Sequence, residues 1–480
     1  MNASGAVEWP RAVSVRWALR GGRAFALAAA CAAFVCGCAS YVPGNIADEV
    51  ARVLSSSDRV ALTASAAELN HPYLAPRRIE FGRALELDDI AVLAVVGNPD
   101  LRALRARMQV ADAQVFDAGL LPDPSMSFGF DHVLSPSTES AALAGSLTFD
   151  ALAALATRPI VRAAARANAD QVRLDIAWQE WIVAGQARLL AARLGFQFQG
   201  LHVARAATAS ARELADSMRQ AQRAGDLGRL DVAAAHSAAV DAEVREASIA
   251  RDAEVTRQQV NRTLGLSVNE HIELAKAVPT SAASAGSIAD LFARAVHDRL
   301  DLRALAKGYA GSELRVQRAV LGQYPRVSFT INRARDTSRV QTLGPSITLD
   351  VPVWNRNRGA LATANAERDV AAKEYASRVY ALRADISELV TSINDNERMG
   401  AALEHSTQDL ATTSATLTAA AQRGDVATSV AVTARSNAFD HRLALIALAQ
   451  SSAEARIALQ VAVGMPLAAE IANASVTSSP

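Results

Sequence analysis

Residues 346–359 read Ser-Ile-Thr-Leu-Asp-Val-Pro-Val-Trp-Asn-Arg-Asn-Arg-Gly, and this stretch decides how the rest of the chain is interpreted. Its first half alternates strictly, because apolar Ile347, Leu349 and Val351 oppose polar Ser346, Thr348 and Asp350. Period-two alternation predicts a strand with one apolar and one polar face. Pro352 then ends ladder pairing, and the Asn/Arg/Gly cluster after it predicts a turn into a helix.

Three further segments alternate in the same way, at residues 125–131, 146–151 and 327–332. In the first of them, Met126, Phe128 and Phe130 share one face. The other faces of the four segments carry mainly Ser, Thr, Asn and Asp. We therefore predict four strands per chain in two β-hairpins, 125–151 and 325–352.

The chain contains an internal duplication. Asp100-Leu-Arg-Ala-Leu104 recurs as Asp301-Leu-Arg-Ala-Leu305, about 200 residues later, a spacing far too long for a solenoid repeat. The Pro-x-x-Ser-Phe motif at Pro124 returns at Pro325. We predict a first repeat over 86–280 and a second over 281–466, with the small-residue stretch 281–286 as their linker.

Long helices fill most of each repeat. No proline occurs between Pro159 and Pro279 or between Pro352 and Pro466, and Ala, Arg, Glu, Gln and Leu dominate both intervals. Helices over 158–223 and 358–423 would each be about 99 Å long if continuous. Each meets a Gly-Asp turn and a shorter helix, 226–264 or 425–463, which gives helical hairpins over 158–264 and 358–463. One more helix per repeat is predicted near 88–121 and 287–322. The fold class is therefore mostly α with a small β part.

The N-terminus has the pattern of an export signal. Four arginines precede an apolar run over 24–35, which is too short to span a bilayer. The run ends Val35-Cys36-Gly37-Cys38 and resembles a bacterial lipobox, so we predict a signal peptide over 1–37 and lipidation of Cys38. An ordinary cleaved signal with no modified cysteine is the alternative. Residues 38–85 would then be an N-terminal periplasmic segment, and 467–480 a flexible tail.

Composition excludes several classes of function. Lys+Arg 49 against Asp+Glu 49 leaves no net charge, which argues against nucleic acid as a partner. All three cysteines lie in the first 38 residues, so no disulfide framework or cysteine metal site follows. The phosphate-loop, zinc-protease and serine-hydrolase motifs are missing, and the eight histidines are scattered. We predict no enzyme activity, no cofactor and no metal site.

The strand count predicts an oligomer. Open strand edges cannot enter lipid, and four strands are too few for a barrel, which needs about eight. Three chains would supply a twelve-stranded barrel with apolar side chains facing lipid. Alternation places Asp131, Asp150 and Asp350 toward its lumen, where they would either bias conduction toward cations or simply line a wet, non-selective passage.

These features together resemble a TolC-type outer membrane efflux protein of the lipoprotein branch. The resemblance rests on Asn98-Pro-Asp-Leu-Arg102, the Pro124 and Pro325 strand starts, the Val351–Gly359 segment and the two Gly-Asp turns, and it covers about 85–466. It implies a homotrimer in the outer membrane of a Gram-negative bacterium. The helical hairpins would form a periplasmic α-barrel, and their tips would meet a periplasmic adaptor protein of an inner membrane transporter.

The resemblance also implies sites. The family narrows its pore at the periplasmic tips, for which the candidates here are Gly225, Asp226, Arg229, Asp231, Arg423, Gly424 and Asp425. The second hairpin departs from the acidic pattern, because Val430 and Thr433 stand where acids would be expected. Capped helix ends with solvated charges are the alternative. Pro352, Trp354, Asn355 and Gly359 mark the strand-to-helix boundary, although a plain turn would also explain them.

The predicted function is a passive outer membrane duct of a tripartite efflux system. Two alternatives remain at this stage. The first is a lipid-anchored periplasmic coiled-coil scaffold whose strands pack on its own helices. The second is an outer membrane duct for type I protein secretion. The transported substrate cannot be read from the sequence, because in such assemblies the inner membrane transporter selects the cargo.

Overall fold

The computed structural model describes residues 41–54, 59–132, 141–225, 228–275, 287–423 and 425–464. It divides into two compact units, Met1–Ser55 and Ser56–Pro480. The described part of the first unit contains helix α1 (Ile46–Leu54). Asn45 precedes this helix, and its Oδ1 accepts a hydrogen bond from the backbone N–H of Ala47 at 3.0 Å. The predictions for the signal peptide, Cys38, the 281–286 linker and the 467–480 tail lie outside the described residues.

The second unit is mostly helical and carries the duplication. Its elements in chain order are α2 (Arg59–Ala67), α3 (Leu87–Gly97), α4 (Pro99–Asp117), β1 (Ser125–His132), β2 (Ala141–Phe149), α5 (Ala151–Ala224), α6 (Arg229–Leu264), α7 (Ile288–Asp298), α8 (Leu300–Leu321), β3 (Arg326–Arg335), β4 (Gln341–Asp350), α9 (Arg358–Gln422) and α10 (Thr428–Val463). The set from α3 to α6 is repeated in the same order from α7 to α10.

The four long helices form two hairpins, as predicted. Helix α5 has 74 residues and α9 has 65, which correspond to about 111 Å and 98 Å. Their partners α6 and α10 have 36 residues each. Helices α6 and α10 begin at Arg229 and Thr428, three residues later than predicted, because extended residues at Gly228 and Ala427 precede them.

The prediction of one short helix at the start of each repeat was wrong, since each is broken into two. In the first repeat, Pro99 opens α4 and restricts Asn98, whose side-chain oxygen accepts from the N–H groups of Asp100 and Leu101. In the second repeat, no proline is present, and the extended backbone of Arg299 separates α7 from α8.

The two β-hairpins join into one antiparallel sheet with strand order β1-β2-β3-β4. The hairpins are connected through β2 and β3, where Phe149 lies opposite Phe329 and Leu143 lies opposite Arg335. All four strands are longer than the alternating segments predicted from sequence. Strands β1 and β4 are the free edges of the sheet within the chain.

The apolar core lies among the helices, away from the sheet. Trp181 on α5 is fully buried, and Leu300 at the start of α8 packs in the same cluster. A second cluster joins α7 and α8 to α9 and α10 through Leu382 and Leu459. A small cluster of Met218 with three alanines packs the two helices of the first hairpin together near its tip. Alanine-rich contacts let these long helices lie close together along their length.

Candidate functional site: one sheet, two junctions and two tips

Polar side chains form continuous rows across one face of the sheet. The strand register aligns Ser125, Thr148, Thr330 and Ser346 in one row, and Ser127, Ser146, Asn332 and Gly344 in the next. Hydroxyl groups of Ser127 and Ser146 lie 2.8 Å apart, and those of Thr148 and Thr330 lie 3.0 Å apart. The Asn332 side chain donates to Ser346 Oγ at 2.7 Å. Such cross-strand pairs stabilise a hydrated face.

The opposite face is apolar, and the helices that the structure describes leave it uncovered. Phe128 is 82% exposed and Phe130 is 66% exposed, and exposed Leu343, Ile347 and Leu349 continue the same face across β4. Burying a side chain such as Phe128 is worth about 1.5–3 kcal/mol, so an open face of this size needs an apolar partner. The scaffold alternative required these strands to pack on their own helices, and the described residues contradict that arrangement.

The three acids predicted for the lumen occupy different positions. Asp131 lies on the polar face of β1, opposite Ala142. Asp350 ends β4 on the same face, and Arg326 lies directly opposite it. Asp150 lies outside the ladder, at the position preceding α5, where its carbonyl oxygen accepts from Ala154 N. Asp131 and Asp350 therefore lie on the polar face of the sheet, whereas strand pairing stops one residue before Asp150. Their exposure to a lumen stays a prediction.

The junction after β4 is a tight turn. Pro352 follows the last paired residue, as predicted, and Trp354 is 91% exposed beyond it. The carbonyl oxygen of Asn355 accepts from Arg358 N at 3.0 Å, and Gly359 lies in the first turn of α9.

The left-handed backbone of this turn is supported by α8. Arg356 and Asn357 adopt φ of 47° and 54°, a conformation that costs residues other than glycine roughly 1–2 kcal/mol each. The Asn357 side chain donates to the carbonyl oxygen of Ala319 at 2.7 Å. A Cβ on Gly322 would lie 2.4 Å from Asn357 Nδ2, so only glycine allows this approach. The turn thus fixes where α9 begins relative to α8.

The junction after β2 is direct. Helix α5 begins at Ala151, seven residues earlier than the predicted start at 158, and it contains Pro159 within its third turn. The sequence prediction placed the helix start at this proline because proline is normally confined to the first turn. The Arg158 side chain donates to the carbonyl oxygen of Gly119 at 2.7 Å and ties this segment to the end of α4.

A cavity of about 1080 Å³ lies between the two junctions. Asp150, Asp350 and Glu367 line it, and so do Arg315, Arg318 and Arg326. Acidic and basic side chains are therefore balanced at this level of the molecule. The prediction of a cation-selective lumen considered the acids and not these three arginines, and the choice between a cation-selective and a non-selective lumen stays a prediction.

The first hairpin turns at Gly225, which has φ of 93° and donates its N–H to the last carbonyl groups of α5. Glycine is favoured at this position, because residues with a Cβ rarely adopt a left-handed backbone conformation. Arg229 is the first residue of α6, and Asp231 lies in its first turn, where the helix dipole favours an acid. Within the described ranges, neither side chain has an ion-pair partner within 4 Å. Asp226 lies outside the described residues.

The second tip brings together two of the predicted residues. Arg423 Nε lies 2.9 Å from Asp425 Oδ2, and both side chains are exposed. Gly424 lies outside the described residues. Val430 is exposed in the first turn of α10, and Thr433 bonds the backbone oxygen of Ser429 at 2.9 Å. The two helical hairpins contact each other further from the tips, where Arg245 Nη1 of α6 lies 2.6 Å from Asp440 Oδ1 of α10.

Searches with the sequence find no matching family model and no curated protein. Comparison of the structure with solved structures finds clear similarity. A structure of CusC, described for its folding and transmembrane channel formation, has a TM-score of 0.69 at 15% identity and covers 84% of this chain and 99% of its own. The outer-membrane channel OprN has a TM-score of 0.67 at 17% identity, with coverage of 90% and 99%. The outer membrane protein VceC of Vibrio cholerae has a TM-score of 0.65 at 17% identity, with coverage of 79% and 96%.

The chain has the TolC-type outer membrane channel fold. This confirms the predicted fold class, which is mostly α with long helical hairpins and four strands per chain. Among the helices that the structure describes, none contains an apolar stretch of the length and composition of a transmembrane helix. The same described ranges contain no group of three or more His, Cys, Asp or Glu residues placed to hold a metal ion.

The channel fold contains a buried ionic cluster that sequence reasoning missed. Arg299 and Asp301 are both buried and form a bidentate pair, with N–O distances of 2.9 Å and 2.7 Å. The guanidinium group also lies 4.4 Å from the ring centre of Trp178 and donates to the carbonyl oxygen of Ala462. The signal was present in the sequence, because Asn98 and Asp100 occupy the matching positions in the first repeat.

Ionisable groups around this cluster are perturbed by burial. Burial raises the pKa of Asp175, and the nearby Asp301 carboxylate raises it further. Burial raises the pKa of Tyr73 to about 12, and its hydroxyl donates to the carbonyl oxygen of Asp298. Burial lowers the pKa of His71, whose Nε2 lies 3.0 Å from the Ala177 carbonyl oxygen. Tyr73 thus joins the end of α7 to Trp181 of α5, and His71 ties the same N-terminal segment to α5.

Proposed function

We propose that the chain is the outer membrane duct of a tripartite efflux system, a passive channel that carries substrates from a periplasmic adaptor and an inner membrane transporter to the outside. The observation that carries the proposal is the exposed apolar face of a four-stranded sheet with two free edges. The TolC-type fold supports the same conclusion.

The sheet requires partner chains to enter a bilayer, and we propose that the assembly is a homotrimer. Each unpaired backbone group in lipid costs several kcal/mol, so β1 and β4 must pair with strands of other chains. Three chains joined from β4 to β1 supply twelve strands, an even number within the range of outer membrane barrels. The apolar face then meets lipid and the Ser/Thr rows face the lumen.

The remaining parts follow from this orientation. In each of the four strands, the terminus that connects to a helix lies at the same end of the sheet, opposite the hairpin loops. The helices would therefore extend from that end into the periplasm. Lipidation of Cys38 would add a second attachment to outer membrane lipid. The far tips, with Arg229, Asp231, Arg423 and Asp425, would meet the adaptor, and Asp231 would line or lock the aperture. A groove of about 460 Å³ between the hairpins, walled by Ala211, Ala238 and Val432, offers a further surface for an adaptor helix.

The first experiment is the native mass of the mature protein extracted in mild detergent. A trimer that conducts in planar bilayers is expected. A Cys38→Ser form should still need detergent, because the apolar face remains. A monomer or dimer in several detergents, or a Cys38→Ser form that is soluble without detergent, would contradict the proposal.

A matched pair of substitutions on β3 tests which face meets lipid. Ile331 lies in the middle of the apolar face, and its neighbour Asn332 lies on the polar face. Ile331→Arg should cost about 2–4 kcal/mol of folding into the bilayer and deplete the trimer, because a guanidinium would face the membrane core. Asn332→Arg should assemble normally and change ion selectivity. Equal tolerance of both substitutions would place the sheet outside the membrane.

A further inference from the structure

Two arginines interrupt the apolar face of β3. Arg333 lies on the same face as Phe329 and Ile331, opposite Gly145 on β2 and Leu343 on β4. Arg335 follows on that face, opposite Leu143 and Gln341. Because β3 pairs on both sides within the chain, these residues are not at an edge that another chain would cover. Their position on the apolar face needs a physical reason.

The arginines lie at the end of the sheet that is remote from the helices. Strand β3 begins at Arg326 and has 10 residues, so Arg335 is its last. At about 3.3 Å per residue and a tilt of about 40°, Arg333 and Arg335 lie roughly 18 Å and 23 Å above the strand start. The apolar band of outer membrane barrels is about 25 Å tall. Exposed Tyr324 and Trp354 mark its lower border, so the arginines mark its upper border.

The surroundings of this pair combine apolar walls with unpaired positive charge. A surface groove of about 500 Å³ is lined by Arg333 and Arg335 together with Phe128, Phe130, Leu143 and Gln341. Gly145 has no side chain to fill it. Arg333 donates to Gln341 Oε1 at 3.4 Å. Among the described residues, no carboxylate lies within 4 Å of either guanidinium group.

We propose that Arg333 and Arg335 bind the phosphate groups of acylated, phosphate-bearing lipid in the outer leaflet. A guanidinium group at the border of an apolar surface is poorly hydrated, and its planar fork matches a phosphate with two parallel hydrogen bonds. The aromatic and leucine walls of the same groove would contact the acyl chains. This inference rests on the proposed function, because it requires the sheet to span the membrane.

Arg326 provides a contrast on the same strand. It lies on the polar face, directly opposite Asp350, and borders the cavity between the junctions. A lipid that approaches from the membrane cannot reach it. Arg326→Ala therefore removes the same charge from the same strand without touching the proposed lipid site, and it is the matched control.

The test measures binding of lipid to the purified trimer by native mass spectrometry. The probe is diphosphorylated lipid A, with the same lipid after enzymatic removal of both phosphates as comparison. Each arginine near a charged membrane surface is worth about five-fold in affinity, so Arg333→Ala/Arg335→Ala should weaken binding of the phosphorylated probe about 25-fold. Arg326→Ala should bind as the unchanged protein does, and the dephosphorylated probe should bind all forms equally.

Several outcomes would overturn the inference. They are a double variant that binds the phosphorylated probe as tightly as the unchanged protein, an equal loss in Arg326→Ala, and complete displacement of the probe by inorganic phosphate. If the double variant does not assemble, the test uses the unchanged protein, whose relative affinity for the phosphorylated over the dephosphorylated probe is measured at increasing salt. This preference must weaken with added salt, because salt screens the attraction between arginine and phosphate. A salt-independent preference contradicts the proposal.

Trimer mass and conductance are recorded on the same preparations. A conducting trimer without any phosphate preference overturns this inference alone. A chain that remains monomeric in detergent overturns the proposed function.

Discussion

The two repeats differ most where strand gives way to helix. After β2, residues 151–157 read Ala-Leu-Ala-Ala-Leu-Ala-Thr and form the first two turns of α5. After β4, the matching residues 351–357 read Val-Pro-Val-Trp-Asn-Arg-Asn and form a turn with two left-handed residues. The difference accounts for most of the greater length of α5. The two repeats thus share their long helices, while one seven-residue segment determines where the long helix begins in each repeat.

At the helix break that opens each repeat, the structure is the same although the residues differ. Asn98 and Arg299 both donate to a carbonyl group near the end of the last helix of their repeat. Asn98 donates to the carbonyl oxygen of Thr263 at 3.0 Å, near the end of α6. Arg299, at the matching position, donates to the carbonyl oxygen of Ala462 at 2.9 Å, near the end of α10. In both repeats, a side chain at the break ties the short helices to the end of the last helix. The first repeat uses a neutral amide, and the second uses a buried ion pair.

The largest expected effect comes from breaking that ion pair. Asp301→Asn leaves the buried Arg299 without a counter-charge, which should cost about 3–5 kcal/mol of stability. Asp100→Asn at the matching position should cost about 0.3–1 kcal/mol, because Asp100 is exposed in the first turn of α4, where its charge stabilises the helix N-terminus. Thermal unfolding followed by circular dichroism in detergent measures both. Similar losses for the two variants would mean that the second break does not depend on its ion pair.

A smaller effect is expected at the turn after β4. Asn357→Ala removes the bond to Ala319 and places a residue with a Cβ and no polar group at φ 54°, so a loss of about 1–2 kcal/mol is expected. Asn357→Gly keeps the backbone conformation accessible and should lose less. Thr157→Ala, at the matching helical position, removes a weak 3.5 Å hydrogen bond to the Ala154 carbonyl oxygen but raises helix propensity, so it should lose less than Asn357→Ala. The same unfolding assay reports all three, and an equal loss in Thr157→Ala would contradict the role given to the turn.

Acidification should weaken the contact between the segment around His71 and α5, by a smaller amount than the two changes above. Burial lowers the pKa of His71 below 6.5, so the unfolded chain takes up its proton at a higher pH than the folded chain does. Stability from this group is present above pH 6.5 and is lost as the pH falls through the folded pKa. The carboxylate of Glu180, 3.7 Å from His71 Nε2, partly offsets the loss, whereas Arg105 adds to it. In His71→Gln, the unfolding temperature should depend less on pH in this window, and an unchanged pH profile would refute the assignment.

The smallest effect is expected at the tips. If Asp231 narrows the aperture, Asp231→Ala should raise single-channel conductance slightly, because one ring of negative charge and bulk is removed. Val430→Asp would place an acid at the matching position of the second hairpin and should lower conductance and favour cations. Planar bilayer recordings measure both. Unaltered conductance and pump-dependent resistance in Asp231→Ala would leave this residue as a helix N-terminal acid only.

The sequence predicted the features that depend on periodicity. Alternation located all four strands, and proline-free, alanine-rich intervals located the four long helices, with α9 correct to within one residue. Residues set by tertiary contacts could not be predicted. Pro159 suggested a helix start, yet contacts of Arg158 with the end of α4 stabilise two earlier helical turns. The break at Arg299 lacks the proline that marks the break in the first repeat, and only its alignment with Asn98 indicates it, because its extended backbone depends on Asp301, Trp178 and Ala462. Asp150 was placed on a strand because alternation does not indicate where pairing stops.

The order of strands in the sheet also determines how the molecule folds. Strands β1 and β2, and likewise β3 and β4, are neighbours in sequence and can pair quickly. The β2–β3 pairing, by contrast, joins Phe149 to Phe329 across the whole first helical hairpin, a sequence separation of roughly 180 residues that makes closure slow. The helices should therefore form before the sheet is complete. Until then the apolar face and the edges of two separate hairpins are exposed to water, so the chain should be prone to aggregation until the sheet is complete and its apolar face is covered.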